Sequence, residues 1–178
     1  MRHFALTAIV IAAPAFAFAQ HHADHGSASP YAGEKSREIK SLSEEDISTL
    51  RRGGGWELAK PAELNGVPGP AHLLELKDKI PLIPEQIAAI EAVYEEMRTA
   101  AIAEGERYIA GERKLEEAFG SRSVTEETLR AMLEQIEQSR VALRYIHLST
   151  HLKMPAILTE EQIRRYNDLR GYRSNRNP

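Results

Sequence analysis

The chain has 178 residues, of which 28% are charged, 6% are aromatic and none is cysteine; its formal net charge is −3. A slightly acidic balance argues against nucleic acid as the main partner, and the lack of cysteine excludes disulfides and thiolate metal sites. Few aromatics with many charges suit a thinly cored helical protein better than a β-sandwich. The expected class is therefore all-α, with one domain at this length.

Residues 1–19 read as a secretory signal peptide: Arg2 and His3, an apolar run from Phe4 to Ala13, then the small-x-small set Ala17-Phe18-Ala19. The run is shorter than the about 20 residues a membrane span needs, and Pro14 interrupts it. The expected location is periplasmic, with no membrane insertion of the mature chain. Residues 20–33 read as a disordered tail carrying His21, His22 and His25. Cleavage after Ala19 puts His22 third from the new N-terminus. There a free amine, two amides and an imidazole can wrap Cu(II) or Ni(II), with His21 as a further ligand. A solvated tail with incidental histidines is the plainer alternative.

Residues 34–70 read as an irregular, partly helical extension. Ser43 followed by Glu44, Glu45 and Asp46 makes a helix start before Ile47 and Leu50. Gly53-Gly54-Gly55 ends that helix, and Trp56 after it is a packing anchor. No Gly-Lys-Ser/Thr follows the glycines, so they are not a phosphate loop. Pro61, Gly66, Pro68 and Gly69 keep the backbone irregular up to Pro70, which opens a short helix over Ala71–Lys79.

Two long amphipathic runs follow. From Pro84 to Phe119, Ile87, Ile90, Tyr94, Met97, Ala101, Tyr108 and Leu115 recur at helical steps. From Thr125 to about Lys153, Leu129, Met132, Leu133, Ile136, Leu143 and Ile146 do the same. The short link between them predicts a long antiparallel helical hairpin with short flanking helices. At about 1.5 Å per residue the first helix would span roughly 54 Å. Such an arm is expected to leave apolar surface for a partner, most simply a second copy of the chain as a homodimer. Residues 172–178 read as a disordered tail.

Both ends of the hairpin domain, 71–171, carry one pattern. Leu82-Ile83-Pro84-Glu85-Gln86 opens the first long helix, and Leu158-Thr159-Glu160-Glu161-Gln162 opens a terminal helix ending near Arg170. Thr159 and Gln162 read as a capping box, and Pro84 as a first helical residue. Two such starts around a long hairpin, behind a signal peptide, resemble the LTxxQ family of periplasmic proteins. That family includes the Spy/CpxP chaperones and related periplasmic heavy-metal resistance and sensor proteins. In the first copy Ile83 stands in place of threonine. The resemblance implies a hairpin pairing as a curved dimer and binding unfolded or stressed envelope clients without ATP. Some members restrain a sensor kinase, and metal-sensing relatives bind nickel, cobalt or zinc.

Two further sets of residues carry chemistry. His147 and His151 lie one turn apart on the second long helix, the spacing by which a helix offers two imidazoles to one metal. A hairpin turning near Arg122 sets His147 near Met97 and His151 near Val93, at the end where the short helix brings His72. Met97, Met154 or Glu96 can complete the set, and Zn, Ni, Cu or Co suits it. Hydrogen bonding along the hairpin flank is the alternative role for these histidines. The second set is basic: Arg107, Arg113, Lys114, Arg140 and Arg144 can attract a flexible acidic client. Pairing of Glu104 with Arg140, and of Glu112, Glu116 and Glu117 with Arg113 and Lys114, would neutralise it. No Gly-x-Ser-x-Gly or His-Glu-x-x-His motif and no cysteine nucleophile occurs, so no enzyme is expected and no cofactor is required. The function expected first is an ATP-independent envelope chaperone, and the alternative is a metal-binding sensor or resistance protein.

Overall fold

The structure is a computed structural model and describes residues 29–172. The expected signal peptide, the His21/His22/His25 tail and the last six residues lie outside the described residues. The chain divides at Gly33 into two units. In the first, the described residues are 29–33, where the Tyr31 N–H donates to Ser29 Oγ at 3.2 Å.

The second unit is all-α among its described residues. Its helices are α1 (Glu44–Arg51), α2 (Lys60–Glu63), α3 (Pro70–Glu75), α4 (Pro84–Gly120), α5 (Glu126–Lys153) and α6 (Glu160–Arg170). None is long and apolar enough to cross a membrane. The starts follow their sequence signals. Ser43 Oγ accepts from the Asp46 N–H at 3.1 Å while Asp46 accepts from the Ser43 N–H at 2.9 Å, a closed capping box. Thr125 and Thr159 cap α5 and α6 the same way, and Gly171 ends α6 in the left-handed region at φ 72°. The short α3 stops at Glu75, earlier than the expected Lys79, and turns carry the chain on to Ile83.

α4 and α5 form the antiparallel hairpin. α4 runs to Gly120 and α5 starts at Glu126, so the turn centres near Ser123 and the register differs from the one expected. Thr150 Oγ1 donates to Met97 Sδ at 3.5 Å and Lys153 pairs with Glu96 at 3.1 Å. Met97 therefore faces Thr150, about one turn from its expected neighbour His147. The expected pairing of Glu104 with Arg140 fails for the same reason. Glu104 instead holds Arg107 at 2.7 Å, and Arg140 reaches Glu137 at 3.9 Å.

Two apolar clusters anchor the hairpin. The first joins Ala101, Tyr108 and Ile109 of α4 and Ile136 and Leu143 of α5 to Ile39, Leu42 and Leu50 of the extension, with Trp56 and Leu58 against them. Trp56 packs on Tyr108, ring centroids 5.4 Å apart, and its Nε1–H donates to Asp46 at 2.8 Å. The expectation of an open hairpin flank is corrected here, because the chain covers one side of α4 with its own residues 39–58. α1 comes close enough that a Cβ on Gly105 would stand 2.8 Å from the Leu50 carbonyl oxygen. The second cluster joins Leu73, Ile80, Ile90, Met154, Leu158 and Tyr166.

At the second cluster the two Leu-x-x-x-Gln starts clasp each other. Each glutamine Oε1 caps its own helix, Gln86 accepting from the Ile83 N–H at 3.1 Å and Gln162 from the Thr159 N–H at 2.8 Å. Each amide nitrogen then donates to the other glutamine's Oε1, at 3.0 and 2.8 Å. Their remaining hydrogens go to the Ile157 and Pro81 carbonyls at 2.7 and 2.8 Å. Both amides are thus fully satisfied, and Leu158 is buried beside them while Leu82 packs in the same cluster.

Candidate functional site

Between the two apolar clusters the hairpin turns polar. On α4 Met97 lies between Ile90 and Ala101. On α5 His147, Thr150 and His151 lie between Leu143 and Met154, and all three are buried. Residues 52–72 wrap this stretch and close a cavity of about 500 Å³ whose wall includes Trp56, Glu63, His72, Met97, His147 and His151. The structure thus brings His72, His147, His151 and Met97 to one cavity. It does not bring Met154, which is buried in the second cluster, or Glu96, which is exposed and paired with Lys153.

Glu63, at the end of α2, is the centre of the cluster. Its carboxylate accepts from His72 Nδ1 at 2.8 Å and from the Tyr166 hydroxyl at 2.7 Å. His151 Nε2 and Arg170 Nε each stand 4.0 Å from it. Burial opposes its charge, but the hydrogen bonds from His72 and Tyr166 and the nearby imidazoles outweigh that, so its carboxyl lies below the usual glutamate value. Burial and the adjacent carboxylate push the Tyr166 hydroxyl well up, and it remains a donor.

The three imidazoles differ in what they have left to offer. His72 is engaged at both nitrogens, with Nδ1 donating to Glu63 and Nε2 accepting from Arg170 at 3.4 Å. It holds Glu63 and has no free lone pair. His151 Nδ1 lies 2.9 Å from the Val67 carbonyl, which can only accept. In the neutral ring the proton therefore sits on Nδ1, and Nε2 turns a lone pair toward Glu63. This is the arrangement in which a backbone carbonyl fixes the tautomer of a metal-binding histidine. His147 is 3% exposed and its Nε2 has no hydrogen-bond partner. Burial, and then the proximity of His151, lower its pKa against a smaller opposing effect of the Gly54 backbone, which favours the neutral ring. The wall comes this close because residue 69 is glycine. A Cβ there would stand 2.8 Å from His151 Nε2 and 2.9 Å from Glu63 Oε1.

These groups fit a divalent ion by type, two imidazoles and a carboxylate. Among the described residues, no three His, Cys, Asp or Glu side chains already stand as a group able to hold a metal ion.

The basic residues are not one free surface. Arg107 pairs with Glu104 and Arg113 with Glu38 of the extension at 3.1 Å. Glu112 and Glu116, expected to neutralise Arg113 and Lys114, serve Ser41 and Lys40. Lys114 and Arg144 are exposed. The large apolar side chains exposed on α5 are Leu133, Val141, Tyr145 and Leu152.

No family model, curated protein or solved structure matches the chain.

Proposed function

We propose that the protein is an exported metal-binding protein that holds one divalent ion of the Zn, Ni, Cu or Co class. The ligands are His147 Nε2, His151 Nε2 and the Glu63 carboxylate, and His72, Tyr166 and the Val67 carbonyl orient them. The observation that carries this reading is the buried His147 Nε2 without a partner, one turn from a His151 whose other nitrogen is fixed by a carbonyl. A buried polar atom left unsatisfied costs about 1–3 kcal/mol, and a metal bond would remove that cost. Two ligands of a tetrahedral zinc stand about 3.4 Å apart at bond lengths of about 2.0–2.1 Å. Glu63 and His151 stand 4.0 Å apart. In this reading the protein buffers or senses metal in the envelope, as the heavy-metal branch of the family it resembles does.

The test is titration of untagged protein with Zn(II), Ni(II), Cu(II) and Co(II) against a chromophoric chelator. One equivalent should bind, and His147→Ala and His151→Ala should each weaken binding by about 10²-fold or more. Affinity equal to that of the variants would remove the proposal.

The exposed α5 side chains favour a second reading, client binding. Leu133, Val141, Tyr145 and Leu152 are exposed on α5, with Arg140 and Arg144 on the same helix. Suppression of aggregation of a denatured client in the presence of a chelator, lost in Val141→Ser/Tyr145→Ser, would support it. Equal suppression by the variant would remove it.

A further inference from the structure

The cavity is far larger than an ion, and its charge has the wrong sign for one. At about 500 Å³ it falls in the range of small-molecule sites. Three protein ligands leave at least one coordination position open. The charged groups on the wall are Arg52, Lys60 and Arg170 against Glu57 and Glu63, one net positive charge before any metal enters. A bare divalent ion would raise that to three in a half-enclosed space, where fields are weakly screened. The Arg52 guanidinium donates only to hydroxyl oxygens, Ser48 Oγ at 3.2 Å and Thr49 Oγ1 at 2.8 Å, and to no carboxylate among the described residues. Its charge is therefore available to an anion. Trp56, Tyr94 and Tyr172 line the remaining wall and give an organic ligand apolar rings to lie against.

We infer that the site takes its metal as a complex with a small organic polycarboxylate and not as the bare ion. The protein would supply His147, His151 and Glu63 to the metal. The polycarboxylate would fill the open coordination positions and set an outer carboxylate against Arg52, since Lys60 is paired with Glu57 at 2.8 Å. A 1:1 complex of a divalent ion with a tricarboxylate carries one negative charge, which the net positive wall neutralises. This inference rests on the metal reading above and names the form in which the metal arrives.

Equilibrium dialysis with zinc and radiolabelled citrate tests it, both being counted. The expected result is one zinc and one citrate retained per chain, with citrate retained only when zinc is present. Arg52→Gln, a change at an exposed position, should keep zinc when zinc is alone and lose citrate retention about tenfold, the size of one charge-assisted contact. His147→Ala/His151→Ala should lose both. Zinc retained alone but stripped by citrate, citrate held without zinc, or citrate held equally by Arg52→Gln would overturn the inference and leave the metal site standing. No zinc retained under any condition would overturn the metal reading itself.

Discussion

The glutamine clasp gives the sharpest stability prediction. Gln162→Ala removes four hydrogen bonds at once: those with the Thr159 N–H, the Pro81 carbonyl, and both the Oε1 and Nε2 of Gln86. At a net 0.5–1.5 kcal/mol each the loss would be roughly 2–6 kcal/mol. Gln86 is only half-buried, so water can replace part of it, and about 3 kcal/mol is expected. At about 2–4 °C per kcal/mol for a chain of this size, Tm should fall by roughly 6–12 °C. Gln86→Ala should cost somewhat less. A double-mutant cycle isolates the contact between the two amides, and a coupling energy of about 1–2 kcal/mol is expected because the glutamines share two bonds. The assay is urea unfolding followed by far-ultraviolet circular dichroism, with unchanged slope confirming that the transition is the same. Effects that add within about 0.3 kcal/mol would mean that each glutamine only caps its own helix, and the clasp would be refuted.

Leu50→Ala, which opens a cavity where α1 meets α4, should cost about 2–5 kcal/mol; a negligible change would mean that the extension is not part of the core. Gly69→Ala should abolish metal retention while leaving the helical circular dichroism intact, since the new Cβ would displace His151 and Glu63. The metal-free protein should lose stability as pH falls. His147 and Glu63 both have folded pKa values below their unfolded ones, so the unfolded chain binds more protons. The His147 contribution is complete above about pH 6.5 and fades below it, and the Glu63 contribution fades below about pH 4.5. Denaturant midpoints from pH 8 to pH 4 should decline through both windows; a midpoint that rises on acidification would reverse the sign of both shifts.

Helices α4, α5 and α6 were legible because each carries a run of apolar side chains at helical spacing behind a recognisable start. The hairpin register was less so. Moving the turn from Arg122 to Ser123 shifts every facing pair by only two residues, whereas Met97 meets Thr150 and Glu96 meets Lys153, three and five residues beyond the expected partners, and periodicity alone fixes neither offset. The packing of residues 39–58 was hidden for a different reason. Ile39, Leu42, Leu50 and Leu58 have no common period, because α1 carries only Leu50 and turns carry the other three. Within the site, the i, i+4 pair His147 and His151 and the approach of His72 could be read from spacing. Glu63 could not, since it stands in a Pro- and Gly-rich stretch where an acid usually faces water. The signal it did leave was a lone acid beside Asn65-Gly66 and Pro68-Gly69-Pro70, a backbone able to bring a carboxylate against another helix. In the sequence Gln162 reads as the cap of its own helix and the first start reads through Pro84, so nothing there joins Gln86 to Gln162.

The orphan nitrogen of His147 is the atom on which the metal proposal turns. An anomalous-scattering map from crystals of the zinc-loaded protein, recorded above and below the zinc edge, tests it most directly. One strong peak is expected within about 2.0–2.2 Å of both imidazole Nε2 atoms and of a Glu63 oxygen. A peak placed only on surface side chains, or none with His147 Nε2 still unpartnered, would contradict it.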